Sequence, residues 1–180
     1  EGARTVYVRP IGDETRMRYV EWVAKNREYV ERASGGRVGY LHMDAMGNDD
    51  FADFVKQYFV QRNKEALIVD DRFNNGGYVQ TFINNILGVK VSGYFNMRNS
   101  REPWSRQGDA FLGPMCCLIN EFAISCGEEF PHRFRDLGLG PLIGRRTEGG
   151  EVGSSPGWPL VDGGVVSVPN YGMFTMKDGW

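Results

Sequence analysis

The most constraining feature of this 180-residue chain is a set of short apolar segments that alternate with segments of helical periodicity. Two of these segments, ALIV at 66–69 and MCCLI at 115–119, are continuously apolar, as is typical of strands buried on both faces of a parallel sheet. Between positions 51 and 59, apolar residues recur at i, i+3, i+4, i+7 and i+8, which predicts an amphipathic helix. This alternation predicts an α/β fold with a mixed, largely parallel sheet.

The remaining patterns predict further elements along the chain. Alternating or apolar stretches predict strands at 4–11, 37–44, 90–97 and 141–146, with one more beginning at 171. Helical periodicity predicts helices between 13 and 34, at 78–87 and at 125–138, and Pro131 is expected to kink or break the last one. A long glycine-rich loop is expected at 147–157, followed by a hairpin at 158–170.

Composition argues against several classes of function. The formal net charge is −2 and the basic residues are scattered, so we expect no nucleic-acid partner. No apolar run approaches the ~20 residues that a membrane span requires, so no membrane partner is expected. The three cysteines form no disulfide framework and suit a reducing compartment. We expect no metal and no cofactor, and the N-terminal Glu suggests a fragment or a processed chain.

The segment NEFAISC at 120–126, called here the serine turn, links a predicted apolar strand to a predicted helix. A serine at this place lies at the positive end of the helix dipole, near backbone N–H groups that have no helical acceptor. Such N–H groups can stabilise an oxyanion during acyl transfer, which makes Ser125 a candidate nucleophile. The simpler interpretation is that Ser125 only caps the helix, a common role for serine.

The segment DDRFNNGG at 70–77, called here the glycine loop, follows another buried strand. Its consecutive glycines allow the backbone to approach a ligand closely and could supply a second oxyanion donor. Phosphate binding is a competing hypothesis, but the loop lacks both the Gly-Lys-Ser/Thr and the Gly-x-Gly-x-x-Gly pattern. An ordinary turn with glycine as filler remains an equal alternative.

No general base for Ser125 is evident in the sequence. His42 lies in a predicted strand, where a hydrogen-bonded structural role is the simpler interpretation. His132 is about 10 Å further along the predicted helix, at 1.5 Å per residue, and is expected on its surface. No lysine lies in either loop or in the 147–157 segment. Cys126 is the rival nucleophile, but we interpret it as a backbone N–H donor with a passive side chain.

Five motifs occur in the order and spacing of one family: GYLHMDAM, ALIVDDRFNNGG, INEFAISCGEEF, LGLGPLIGRRTEGGEVG and VDGG. The chain resembles the tricorn-like branch of the tail-specific (C-terminal-processing) serine proteases. The resemblance implies a protease core of the ClpP/crotonase type over 35–180, preceded by the end of a PDZ-like domain at 1–11 and a connecting helix at 12–34. It implies Ser125 as nucleophile, with one oxyanion donor at Cys126 N–H and the other in the pair Gly76 and Gly77, where Gly77 is the better match.

The same resemblance implies where the base lies. The tail-specific branch carries a lysine at the position of Gly150, so the serine–lysine pair is absent here. The tricorn branch uses a histidine and a glutamate that would belong to other parts of the same protease chain, and we therefore expect the isolated chain to be inactive. Two alternatives remain open: a catalytically silent module that binds peptides or hydrophobic ligands, and an acyl-CoA enzyme of the same fold.

The resemblance also suggests substrates and surroundings. We expect peptides or unfolded polypeptides as substrates, a homo-oligomer and a cytoplasmic location. Candidate substrate-binding residues are Phe95, Glu148 and Glu151. The two glutamates are either solvated loop residues or groups that favour basic substrate residues. Phe95 occupies a position where relatives can hold an acid, which argues against a basic preference and leaves an apolar one open.

Overall fold

The computed structural model describes residues 2–105, 108, 110–154, 157–177 and 179. In this part of the chain, four helices have the bounds α1 Thr15–Ser34, α2 Asn48–Gln61, α3 Gln80–Leu87 and α4 Cys126–Asp136. The strands are β1 Val38–His42, β2 Ala66–Asp70, β3 Tyr94–Phe95, β4 Trp104–Ser105, β5 Met115–Ile119, β6 Leu142–Gly144, β7 Val152–Ser154, β8 Trp158–Pro159, β9 Val165–Val166 and β10 Pro169–Gly172.

Four strands form the central sheet in the order β1-β2-β5-β6, and all three pairings are parallel. The predicted α/β fold with a largely parallel sheet is therefore confirmed. The two continuously apolar segments occupy the middle of this sheet as β2 and β5. Because the strands are parallel, their carboxyl ends lie at one edge, and both the glycine loop and the serine turn leave the sheet there.

Helices cover the sheet and close the core. The helices α1 and α2 pack against β1, α4 packs against β5, and α3 packs against α4. Aromatic rings of α2 and α4 are completely buried, and they are Phe54, Tyr58, Phe130 and Phe134. They join the inward side chains of the sheet in one hydrophobic cluster. This cluster supports the edge where the two loops meet.

Several predicted boundaries are wrong. Residues 4–11 form no strand and are exposed, because an alternating pattern is stable as a strand only when another strand pairs with it. The strand predicted at 90–97 is reduced to β3, which pairs only with β4. The predicted loop 147–157 contains β7, and the last strand begins at Pro169 and pairs with β7. Positions 155 and 156 of that loop, and positions 178 and 180 of the last predicted strand, lie outside the described residues.

The helix α4 continues through Pro131, so the prediction that this residue could break it into two pieces is wrong. A proline inside a helix removes one backbone hydrogen bond and costs about 3 kcal/mol. Burial of Phe130 and Phe134 on either side of Pro131 offsets that cost, since fully burying one such ring contributes about 1.5–3 kcal/mol.

Candidate active site

Ser125 has an unusual backbone conformation, with φ 53° and ψ −127°. Among the described residues, only Phe73 shares a positive φ without being glycine. An ordinary N-cap residue has extended backbone angles, so capping alone does not account for this geometry. A side chain held in such a region costs about 1–3 kcal/mol and persists only where the surroundings enforce it. Ser125 is exposed at the start of α4, on a turn that the fold holds under strain.

The glycine loop packs directly against the serine turn. A methyl group added at Gly76 would lie 2.8 Å from Cβ of Ser125 and 3.2 Å from the backbone N of Cys126. A methyl group at Gly77 would overlap the backbone of Met46. The structure therefore brings together the four residues that the sequence analysis assigned to the nucleophile and the oxyanion site. Glycine is required at both positions for close packing as well as for the turn, since a side chain at either position would displace neighbouring backbone.

The N–H groups of Gly76 and Gly77 differ in their hydrogen bonding. The N–H of Gly76 donates to Oδ1 of Asn74 at 2.8 Å. In the part of the chain that the structure describes, the N–H groups of Gly77 and Cys126 have no acceptor. Cys126 is the first residue of α4, so its N–H is one of the four that a helix leaves unpaired. The free donors are thus Gly77 and Cys126, on the two loops that meet at Ser125.

Glu128 is a site residue that the sequence analysis missed. Its carboxylate accepts from the N–H groups of Gly149 at 2.6 Å, Gly150 at 3.0 Å and Ser125 at 3.2 Å, and only 9% of the residue is exposed. It joins the loop at 147–151 to the serine turn and helps to enforce the backbone conformation of Ser125. The Ser-x-x-Glu spacing of a capping box was the signal that could have indicated it.

Asn120 was also missed, and it fixes the other end of the serine turn. Its Oδ1 accepts from the N–H groups of Phe73 at 3.0 Å and Phe122 at 3.3 Å. The two phenyl rings stack with centroids 5.5 Å apart, and both remain largely exposed. Asn120 therefore links the glycine loop to the serine turn through one amide oxygen.

The thiol of Cys126 is not activated as a nucleophile. Burial raises its pKa, and the negative charges of Glu129 and Glu151 raise it further. The sulfur donates to the carbonyl O of Gly77 at 2.8 Å. A neutral thiol that is engaged with backbone agrees with the interpretation of Cys126 as a passive side chain.

Neither histidine is arranged to serve Ser125. His42 is 2% exposed, its Nδ1 lies 3.0 Å from the hydroxyl of Tyr19, and its Nε2 lies 2.8 Å from the carbonyl O of Arg72. Burial lowers the pKa of His42, so the ring is neutral and structural, as expected. His132 is half-buried rather than exposed on the helix surface, with Nδ1 3.6 Å from Asp136. The expectation that His132 lies on the exposed surface of the helix is therefore wrong in part, because its side of α4 is partly covered by the rest of the chain.

Two buried acids at the end of β2 have different hydrogen-bond partners. Asp70 is fully buried and accepts two hydrogen bonds from the Arg72 guanidinium, at 2.8 and 2.6 Å, and one from the Tyr40 hydroxyl at 2.6 Å. Asp71 is also fully buried, and its only side-chain partner among the described residues is the amide of Asn74 at 2.9 Å. Burial raises the pKa of Asp71 well above its usual range, which favours the protonated form of this carboxyl.

The predicted substrate-binding residues are dispersed. Phe95 lies on the β3–β4 ribbon, 49% exposed, with its ring 5.2 Å from that of Trp104. Glu148 is exposed, and its N–H donates to the carbonyl O of Ala123 at 3.1 Å, which places it beside the serine turn. Burial raises the pKa of Glu151, and the charges of Glu129 and Glu128 raise it further. Glu148 therefore borders the serine turn through Ala123, and Glu151 is close enough to Cys126 for its charge to affect the pKa of that thiol.

A pocket of about 570 Å³ lies beside Glu128, lined also by Pro131, Arg146, Gly149 and Glu151, with Ser125 outside it. No group of three or more metal-ligating side chains occurs among the described residues. Over the same residues, none of the helices combines the length and apolar character needed to cross a membrane.

Comparisons with known proteins agree with this architecture. The model of peptidase family S41 matches residues 37–180. The tricorn protease of Thermoplasma volcanium is 40% identical over 178 residues, which are 98% of this chain and 17% of that protein. Tricorn protease homolog 1 of Streptomyces coelicolor is 37% identical over 177 residues, covering 98% of this chain and 16% of the relative.

Solved structures extend the comparison to the fold. The crystal structure of the tricorn protease superposes with a TM-score of 0.86 at 36% identity, over 98% of this chain and 17% of that one. The photosystem II D1 C-terminal processing protease shares the fold alone, with a TM-score of 0.54 at 22% identity, over 73% of this chain and 36% of that one. The matching family model and the tricorn relatives place this parallel α/β core among the serine-type peptidases.

The chain belongs to peptidase family S41, and its relatives place it with the tricorn-type serine proteases. The resemblance inferred from the five motifs is therefore confirmed. The chain spans about a sixth of the length of these relatives.

Proposed function

We propose that the protein containing this chain hydrolyses peptide bonds in peptides or unfolded polypeptides through an acyl-enzyme on Ser125. The observation that carries the proposal is an exposed, strained serine flanked by the N–H groups of Gly77 and Cys126, which have no acceptor among the described residues. A silent binding module would need neither the strain nor the free donors. Acyl-CoA chemistry would share the donors but has no support from the tricorn-type relatives.

In the proposed reaction, Oγ of Ser125 attacks the carbonyl carbon of the scissile peptide bond. The carbonyl oxygen becomes an oxyanion that accepts from the N–H groups of Gly77 and Cys126. Collapse of this intermediate breaks the C–N bond; the amine leaves with the proton that the base took from Ser125, and an ester remains on Ser125, which water then hydrolyses to a carboxylic acid and free serine. Each such donor typically contributes ~10²–10³ in rate.

The proton on Ser125 requires a base that the described residues do not supply near the serine turn. His42 is held by two hydrogen bonds, and Lys25 and Lys56 form ion pairs on exposed helix faces. We propose that a histidine and a glutamate from other parts of the same protease chain complete the site, so the isolated 180-residue chain is inactive.

Further parts of the proposal concern surroundings and substrate choice. Residues 1–11 would end a PDZ-like domain, 12–34 would connect it to the core, and 35–180 would be the core itself. Assembly into a homo-oligomer in the cytoplasm follows by analogy with the tricorn-type resemblance. Glu148 and Glu151 beside the serine turn would favour basic substrate residues, and Phe95 would contact apolar ones.

A fluorophosphonate probe tests the proposal directly in the full-length protein. We expect rapid labelling at Ser125 and hydrolysis of unfolded polypeptides, both abolished by Ser125→Ala, and slow or no labelling of the isolated chain. Hydrolysis that survives in Ser125→Ala would refute the assignment of the nucleophile. A full-length protein that neither reacts with the probe nor cleaves peptides would be the binding module instead.

A further inference from the structure

Asn74 is the residue on which both loops of the site converge. It is fully buried, and its Oδ1 accepts from the N–H of Gly76 at 2.8 Å. Its backbone carbonyl accepts from the N–H of Ile124 at 3.0 Å, one residue before the serine. Its Nδ2 donates to the carbonyl O of Met43 at 3.1 Å and to Asp71 at 2.9 Å. Every polar group of the side chain is therefore bonded within the protein.

These bonds decide which glycine N–H remains free. Gly76 and Gly77 are consecutive, so either N–H could serve an oxyanion if nothing else held it. The Asn74 oxygen occupies the N–H of Gly76 and leaves the N–H of Gly77 without an acceptor among the described residues. Asn74 also contacts the first turn of α4 closely, since a methyl group at Gly127 would lie 2.9 Å from its Cβ.

We propose that Asn74 is a positioning residue for the oxyanion site: it makes Gly77 the donor and fixes that donor relative to Cys126. The inference rests on the proposed peptidase function. Because one buried residue holds the glycine loop and the serine turn together, the spacing of their two free N–H groups is set before substrate binds. Such pre-organisation is what makes backbone donors effective for a developing charge.

The environment of Asp71 agrees with a positioning role for Asn74. An ionised carboxylate behind the oxyanion site would oppose the negative charge that the site must stabilise. The carboxyl of Asp71 accepts from Nδ2 of Asn74 at 2.9 Å, and burial raises its pKa, which disfavours such a charge. The nearby charge of Asp70 is paired with Arg72 at 2.6 Å.

The test compares variants of the full-length protein in hydrolysis of a fluorogenic peptide. In Asn74→Ala we expect kcat to fall by about 10²–10³-fold with little change in KM, as for loss of one oxyanion donor. Asn74→Asp keeps an oxygen for the Gly76 N–H but loses both Nδ2 donors and can carry a negative charge, so we expect kcat above that of Asn74→Ala and well below that of the wild type. Asn84→Ala is the matched control, because Asn84 is equally buried but bonds the carbonyl O of Phe130 between α3 and α4.

We expect the control to lose stability while it keeps kcat. Inhibition by a peptide aldehyde, which forms a tetrahedral adduct on the serine, should weaken in the Asn74 variants and not in Asn84→Ala. If Asn74→Ala does not fold, Asn74→Asp carries the test through the same two measurements.

If a folded Asn74 variant keeps the wild-type kcat and the wild-type affinity for the aldehyde, the inference about Asn74 is wrong. Hydrolysis that still depends on Ser125 would then leave the proposed function unaffected. Hydrolysis that survives in Ser125→Ala would instead overturn the proposed function itself.

Discussion

Replacement of Gly76 by alanine tests whether contact between the two loops controls the chemistry. The new methyl group would lie 2.8 Å from Cβ of Ser125, 3.0 Å from the carbonyl O of Ile124 and 3.2 Å from the backbone N of Cys126. Two of these three atoms are backbone, so the serine turn must move rather than a flexible side chain. The displaced backbone includes the free N–H of Cys126, one of the two proposed donors.

The expected magnitude has two separable parts. Gly76 has φ +79°, where a Cβ costs roughly 1–2 kcal/mol of folding stability. Movement of one donor away from the oxyanion adds a loss of about 10²-fold or more in kcat. At about 1.36 kcal/mol per factor of ten, that loss corresponds to roughly 2.7 kcal/mol of transition-state stabilisation.

Gly138→Ala supplies the control for the first part. Gly138 has φ +66° but no atom within 4 Å of the position that a Cβ would take. Both variants should therefore lose stability in urea unfolding, Gly76→Ala more because its methyl group also displaces backbone, and only Gly76→Ala should lose kcat and fluorophosphonate reactivity in the full-length protein. If Gly76→Ala keeps its kcat, or if Gly138→Ala loses as much, the reasoning about loop contact is wrong.

Three further predictions concern neighbouring groups in the full-length protein. Cys126→Ala keeps the backbone donor, so kcat should remain near that of the wild type; a loss as large as that of Ser125→Ala would assign a role to the thiol. In Glu128→Gln, an amide replaces the carboxylate that accepts from three backbone N–H groups, so kcat should fall. Glu121→Gln is the control: Glu121 is an exposed carboxylate bonded to Arg145 at 2.8 Å, and its replacement should leave kcat unchanged. Asp71 binds its proton more tightly when folded, so its contribution to stability is full below about pH 3.9 and declines as pH rises towards its raised pKa, by at most about 1.4 kcal/mol per pH unit. Asp71→Asn should flatten this decline in unfolding measurements across pH, and an unchanged slope would contradict the raised pKa of Asp71.

The sequence predicted those parts of the fold that depend on burial of whole segments. The strands β2 and β5 were found because a continuously apolar run has few other places in a domain. The serine turn and the glycine loop were found because polar residues and glycines follow those runs directly, at the edge where parallel strands end. The prediction of a strand at 4–11 is wrong because an alternating pattern carries no information about whether a partner strand is present.

The hydrogen bonds behind the site could not be predicted in the same way. Asn74 bonds Ile124, fifty positions away, and Glu128 bonds Gly149 and Gly150, more than twenty positions away. Neither pairing leaves a periodic signal in the sequence. The choice between Gly76 and Gly77 as free donor depends on one side-chain oxygen, so it required the structure.

The strained residues show how much of the site this chain prepares by itself. Ser125 and Phe73 each hold a positive φ, at about 1–3 kcal/mol apiece, and they lie on the two loops that meet. Bonds from Glu128 to the N–H of Ser125 and from Asn120 to the N–H of Phe73 keep both conformations in place. Since this network lies within the described residues, serine exposure and donor spacing are set without any other domain. The other parts of the proposed protease would then have to supply the base and the substrate cleft, and not the geometry of the oxyanion site.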